Sequence, residues 1–224
     1  MNFLNFHQKF TQNNEQKNSL DDPVKHSDCF KIVVILDESG SMEPIRDKMI
    51  NSLNDLIMEQ KQIKNRPCNF TFVKFNNNVN RVIENKNINE ILSLSKNNYV
   101  PSGSTALYDA IGNTINWFRY ERDVLMVIIT DGQENASTKF KKSQINNMLD
   151  EKQKYCGWSY VYLCNDLSTS TQGNDIGFSK SSFASNCVVH QSNYDNFLKN
   201  DLNVAIKNFR NDGVSVQKQL NKKF

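Results

Sequence analysis

Apolar residues in this chain fall into short, sharply bounded blocks, and the spacing within each block sets the element it predicts. Ile32-Val33-Val34-Ile35-Leu36 and Val124-Leu125-Met126-Val127-Ile128-Ile129 are unbroken. Runs with no polar alternation predict strands covered on both faces, as in a parallel sheet packed between helices. Phe70 to Phe75, Val79 to Glu84, Trp158 to Cys164 and Cys187 to His190 supply four further strand candidates. The turn Asn76-Asn77-Asn78 joins the second and third as a hairpin, so the third is expected to run antiparallel at one edge. Three-to-four-residue spacing takes over between these blocks. Ile45, Met49, Leu53, Leu56, Ile57 and Ile63 mark a helix beginning near Pro44 and ended by Arg66-Pro67. Leu107, Ile111, Ile115 and Phe118 mark a second, with Ser104 or Thr105 at its start. Phe140, Ile145, Met148 and Leu149 mark a third, and Tyr194, Leu198, Leu202, Ala205 and Phe209 a last one closed by Gly213. Asp166 to Phe178 is expected to be a polar loop with at most a short helix.

The expected fold is therefore α/β: a doubly wound, Rossmann-like sheet of six strands, five parallel and one antiparallel at an edge, with helices on both faces. The strands at 31–36 and 124–129 are expected to be neighbours at its centre. Residues 1–28, rich in Asn, Gln and Lys with no sustained apolar period, are expected to be a mobile arm. The domain is expected over 29–212, with 213–224 a frayed tail.

Composition narrows the function. A net charge of +3 over 224 residues is mild, and basic residues form no stripe with interleaved aromatics, so nucleic acid is not indicated. No apolar run approaches a membrane span, and the N-terminus lacks the long apolar region of a signal peptide. Five cysteines, an odd number without C-x-x-C spacing, argue against a disulfide scaffold or zinc site and for a reducing, cytoplasmic compartment.

The chemistry lies where the two unbroken strands stop. The first runs into Asp37-Glu38-Ser39-Gly40-Ser41, where alternation aims Asp37, Ser39 and Ser41 to one side. One carboxylate and two hydroxyls suit a hard divalent cation such as Mg2+, which takes about six oxygens, so further donors are needed. Thr105 precedes the second helix and Asp131 ends the second unbroken strand. If those strands are neighbours, all five residues reach one sheet edge. Taken singly, the first motif reads equally as a helix-capping loop, Thr105 as an N-cap and Asp131-Gly132 as a turn. Asp47 and Asp109 read as helix-surface or supporting residues, and Glu134 as a candidate for the rim.

The pattern Asp37-x-Ser39-x-Ser41, then Thr105, then Asp131 resembles the von Willebrand factor type A family and its metal-ion-dependent adhesion site, over residues of about 30 to 212. The resemblance implies that Ser39, Ser41 and Thr105 touch Mg2+ or Mn2+ directly, while Asp37 and Asp131 hold it directly or through waters. Gly157 to Leu163 and the segment from Asn165 to Gly177 look like the compact intracellular members of bacteria and phages, including those linked to tellurium resistance. The Asp-rich loop of integrin-type members has no counterpart, so cell-surface adhesion is not implied. Three hydroxyls and two acids leave the cation under-neutralised, so a protein partner presenting an Asp or Glu side chain, or a carboxy terminus, would complete its shell. The expected function is a metal-dependent binding module rather than an enzyme. The alternatives are a Mg-dependent phosphohydrolase, with Asp37 as phosphoryl acceptor, and a scaffold whose site is unused.

Overall fold

The computed structural model describes residues 28–224. One six-stranded sheet forms its centre, in the order β3-β2-β1-β4-β5-β6. Its strands are β1 Phe30–Asp37, β2 Cys68–Phe75, β3 Val79–Asn87, β4 Val124–Ile129, β5 Ser159–Cys164 and β6 Ala184–Val188. Every pairing is parallel except β2 with β3. As the apolar runs predict, β1 and β4 are direct neighbours, with Leu36 opposite Ile129.

All eight residues of β1 and all six of β4 are buried, which explains why neither alternates in sequence. Period-two geometry divides each strand between two cores. Ile32, Val34 and Leu36 enter one, with α1 (Arg46–Lys61) and the last long helix; Val33 and Ile35 enter the other, with α2 (Leu107–Trp117) and α3 (Lys142–Cys156). Fully burying one such side chain contributes about 1.5–3 kcal/mol, so this two-sided burial holds the strand ends firmly.

Ile176 and Phe178 complete the second core from the turn that follows α4 (Leu167–Gly173), a helix capped by Asp166, whose carboxylate accepts from Thr169 N–H at 2.8 Å. The last long helix runs from Tyr194 through a wide π-helical segment, Phe197–Leu202, into α5 (Asn203–Asp212), and Gly213 closes it with φ 72°. Arg210 anchors it from inside. Its guanidinium donates to the carbonyls of Gln60, Ile63 and Arg66, so the chain leaving α1 is held by another helix.

Four expectations change. Pro44 lies inside a 3-10 turn, Gly40–Ile45, and the α-helix starts at Arg46. The last strand begins at Ala184 rather than Cys187, because Ser185 and Asn186 are polar yet buried. Asn186 Nδ2 is satisfied by Ser170 O and Asn174 Oδ1 at 2.9 and 2.8 Å. Residues 213–224 are not frayed: α6 (Val216–Leu220) buries Val216 and Leu220 in the first core, and Asn221 Nδ2 donates to the carbonyls of Ser181 and Ala184 beside β6. Two leucine-type anchors four residues apart suffice to dock this short helix, although the polar residues between them conceal it in the sequence. The segment expected to be a polar loop, 166–178, is mostly helical. The N-terminal arm expected at 1–28 lies, apart from Asp28, outside the described residues.

At the β3 edge the ladder is irregular, with register shifts between Phe70 and Phe72 and between Phe72 and Val73. Asn85 takes a φ of 40° there, held by its N–H to Thr71 Oγ1 at 2.9 Å and by Asn69 Nδ2 on its carbonyl at 3.2 Å.

Candidate metal centre

The C-terminal ends of β1 and β4 bring Asp37 and Thr130 side by side. Asp37 is fully buried, and both carboxylate oxygens are engaged: Oδ1 accepts from Ser39 N–H at 2.7 Å and Oδ2 from Thr130 Oγ1 at 2.6 Å. Ser41 Oγ donates to Asp131 Oδ1 at 2.6 Å and lies 3.1 Å from Ser39 Oγ. Thr105, from a third loop, completes the convergence. A Cβ placed on Gly132 would lie 3.1 Å from Thr105 Oγ1, 3.8 Å from Asp37 Oδ2 and 4.0 Å from Ser41 Oγ. Oxygens from two loops thus face the backbone of a third, across one small volume that a side chain at 132 would fill. The five residues singled out in the sequence are brought together.

Burial dominates the electrostatics. Asp37 is pushed up from 3.8 to about 6, mainly by desolvation, against the opposing hydrogen bonds from Thr130 and Ser39. Asp131 is also raised, again chiefly by burial. Two acids held in partial desolvation, with hydroxyls between them, favour a cation over two separate charges. Among the described residues no group of three or more His, Cys, Asp or Glu side chains forms a metal cluster. The donor set is hydroxyl-rich, which suits a hard ion and disfavours zinc.

The three loops are tied by residues that sequence reasoning missed or placed elsewhere. Glu38 is buried; its Oε1 accepts from Lys74 Nζ at 2.8 Å and Val100 N–H at 2.6 Å, and Tyr99 Oη donates to the Asp37 carbonyl at 2.6 Å. Gly103, with φ 75°, turns its carbonyl onto Gly40 N–H at 3.2 Å. Thr105 is not the cap of α2, whose N-cap is Ala106 with no side-chain bond. Instead Glu134 Oε2 accepts from Tyr108 N–H at 2.9 Å, so the helix is capped from the loop after β4, and Glu134 does not line the rim. Asn135 grips Thr105 on both sides, accepting its N–H through Oδ1 at 2.9 Å and donating N–H to its carbonyl at 3.0 Å. Asp109 is buried and receives the backbone N–H groups of Thr138, Lys139 and Phe140. Asp47 pairs with Lys96 on the surface. The contacts by which these carboxylates and amides tie one loop to another have no local sequence spacing to reveal them, since the partners lie 26 to 62 residues apart.

Residues 31–200 match the von Willebrand factor type A domain. The chain belongs to this family. Solved structures agree on the architecture of the von Willebrand factor type A domain. The chain is similar to the PilB minor pilin of Streptococcus sanguinis (TM-score 0.59, 11% identity, 91% of this chain and 65% of that one). It is also similar to proximal thread matrix protein 1 of the mussel byssus (0.56, 16%, 79% and 46%) and to a von Willebrand factor type A protein of Catenulispora acidiphila (0.53, 11%, 76% and 41%). It spans less than two thirds of each of these, and at such identities the likeness carries the fold alone. No curated protein matches the chain.

Proposed function

We propose that this von Willebrand factor type A domain is a divalent-cation-dependent binding module. Mg2+ or Mn2+ would be held by Ser39, Ser41 and Thr105, with Asp37 and Asp131 neutralising it directly or through water. The carrying observation is the convergence of a Thr105 oxygen from one loop and of Asp37 and Ser41 oxygens from another on the space beside Gly132 of a third. When bound, the ion supplies a Lewis-acidic position that an external carboxylate can fill. Ser41 is exposed and Asp131 partly so, which leaves that position open at the sheet edge. The partner is a protein presenting an Asp or Glu side chain or a carboxy terminus; neither nucleic acid nor a membrane surface is its target. Among the described residues no helix is long and apolar enough to cross a membrane.

Binding is favoured over phosphoryl transfer because Asp37 is fully buried, with Oδ2 held by the buried Thr130 hydroxyl, so no exposed carboxylate oxygen is presented for in-line attack on a phosphoryl group. A reducing, cytoplasmic setting is supported by four buried free thiols, of which Cys68, Cys164 and Cys187 are pushed up to about 12 by burial. Calorimetric titration with Mg2+ and Mn2+, followed by capture of carboxylate-bearing peptides with and without EDTA, tests the reading. Metal binding with EDTA-sensitive capture is expected. Capture that survives EDTA would refute the adhesion mechanism, and metal-stimulated phosphatase activity lost in Asp37→Asn would favour the enzyme.

A further inference from the structure

A sixth residue reaches the site from outside its three loops. Gln191 lies in the turn Gln191–Asn193 after β6, and its Nε2 donates to Asp131 Oδ2 at 2.8 Å and to the Ser41 carbonyl at 3.2 Å. The turn is itself anchored. Tyr194 Oη donates to the Thr130 carbonyl at 3.0 Å, Lys48 pairs with Asp195 at 2.8 Å and also donates to the Ser192 carbonyl, and His190 Nδ1 bonds Ser192 Oγ at 2.7 Å. Gln191 is therefore a preorganised contact rather than a loose rim side chain.

Its effect on Asp131 is specific. Ser41 Oγ holds Oδ1 and the Gln191 amide holds Oδ2, so the carboxylate is pinned with one oxygen toward the serine and the other turned to the amide. A hydroxyl can rotate and hand its oxygen partner to an ion. The amide nitrogen has only hydrogens to offer, and releasing it would also break its bond to Ser41 O. Turning both Asp131 oxygens onto one ion would therefore cost the two Gln191 hydrogen bonds, whereas using Oδ1 alone costs neither.

The distinction matters between hard cations. Ca2+ takes about six to eight oxygens at about 2.3–2.6 Å and commonly uses a carboxylate bidentately, whereas Mg2+ takes six at about 2.0–2.1 Å and needs only one oxygen per carboxylate. We propose that Gln191 is a selectivity-determining residue, which denies Ca2+ a bidentate Asp131 and so tilts the site toward Mg2+ and Mn2+. It rests on the metal-binding reading above and adds to it a residue that supplies no ligand atom.

The test is calorimetric titration of the full chain with MgCl2, MnCl2 and CaCl2, on the parent, Gln191→Leu and Gln191→Lys. Leucine keeps the bulk and removes the donor; lysine keeps a donor that can reach Asp131. The ratio of Ca2+ to Mg2+ dissociation constants is expected to fall about tenfold in Gln191→Leu. In Gln191→Lys that ratio is expected to stay within about twofold of the parent, even though the added charge weakens both ions. Melting curves in EDTA should coincide for parent and Gln191→Leu to within a few degrees, and a ratio change at matched stability separates selectivity from a structural role. An unchanged ratio in Gln191→Leu, or an equal loss in both variants, would overturn the proposal while leaving the metal site standing. A parent that binds none of the three ions would overturn the metal reading and the proposal with it.

Discussion

Replacing Asp37 by asparagine should strengthen the metal-free protein while destroying its metal site. The Asp37 carboxylate is fully buried, and desolvation raises it from 3.8 to about 6. A folded-state value above the unfolded one means that the folded protein holds the proton more tightly, so stability is greatest below about pH 4 and is lost as pH rises toward 6. At about 1.36 kcal/mol per tenfold in proton affinity, the displacement corresponds to about 3 kcal/mol at pH 7. Asparagine removes the charge that causes this loss. Its Oδ1 can still accept from Ser39 N–H, and its Nδ2 faces the Thr130 hydroxyl, which can reverse to accept because its own proton can pass to the Gly132 carbonyl at 3.1 Å. The gain at pH 7.5 in EDTA should therefore be about 1–3 kcal/mol, or several degrees in Tm for a chain of this size. Near pH 4 the difference should vanish. Saturating Mg2+ should reverse the order, stabilising the parent alone by mass action. Urea or thermal melts at pH 4 and 7.5, with EDTA and with MgCl2, measure all four conditions. An Asp37→Asn protein less stable than the parent at pH 7.5 in EDTA would refute the desolvation argument, showing that the hydrogen bonds to the carboxylate outweigh its burial.

Metal affinity in the parent should fall as pH drops below about 6, since the proton and the cation compete for Asp37; a flat profile by calorimetry between pH 5 and 7.5 would place the ion elsewhere. Thr105→Ala should weaken Mg2+ binding with little change in Tm, because Thr105 makes no cap to α2, and Thr105→Ser should restore it. Arg210→Met should cost about 2–4 kcal/mol in urea melts by orphaning the carbonyls of Ile63 and Arg66, yet leave Mg2+ affinity unchanged at the opposite end of the strands. Val216→Asp should unseat α6 and lower Tm sharply, and an unchanged melt would show that the helix contributes little to the core.

The features legible in the sequence were those written in consecutive residues. Two unbroken apolar runs declare strands buried on both faces, and the oxygen-bearing residues at their ends declare where polar side chains converge. β1 and β4 lie side by side accordingly, and Asp37, Ser39, Ser41, Thr105 and Asp131 meet. The remainder depends on pairs far apart in the chain. Nothing adjacent to Gln191 announces Asp131, 60 residues away, and nothing adjacent to Glu134 announces the N–H of Tyr108, 26 away. The polar start of the last strand, Ala184–Val188, hides for the same reason: the buried Asn186 amide is satisfied by Ser170 and Asn174, so hydrophobic patterning begins the strand late, at Cys187.

The uneven ladder at β3 bears on how copies of this domain avoid one another. An outer strand presents unpaired N–H and C=O groups to any passing chain, and regular ones invite sheet-to-sheet growth. Here the two register shifts and the left-handed Asn85 bend the outer strand away from a straight template, and Arg81, Glu84 and Lys86 place charge along it. At the far side of the sheet, Asn221 occupies the carbonyl of Ala184, so the opposite edge begins under cover. Both flanks are thereby made poorer templates for strand addition, which leaves the oxygen-lined end of the sheet as the more open place for another protein to engage.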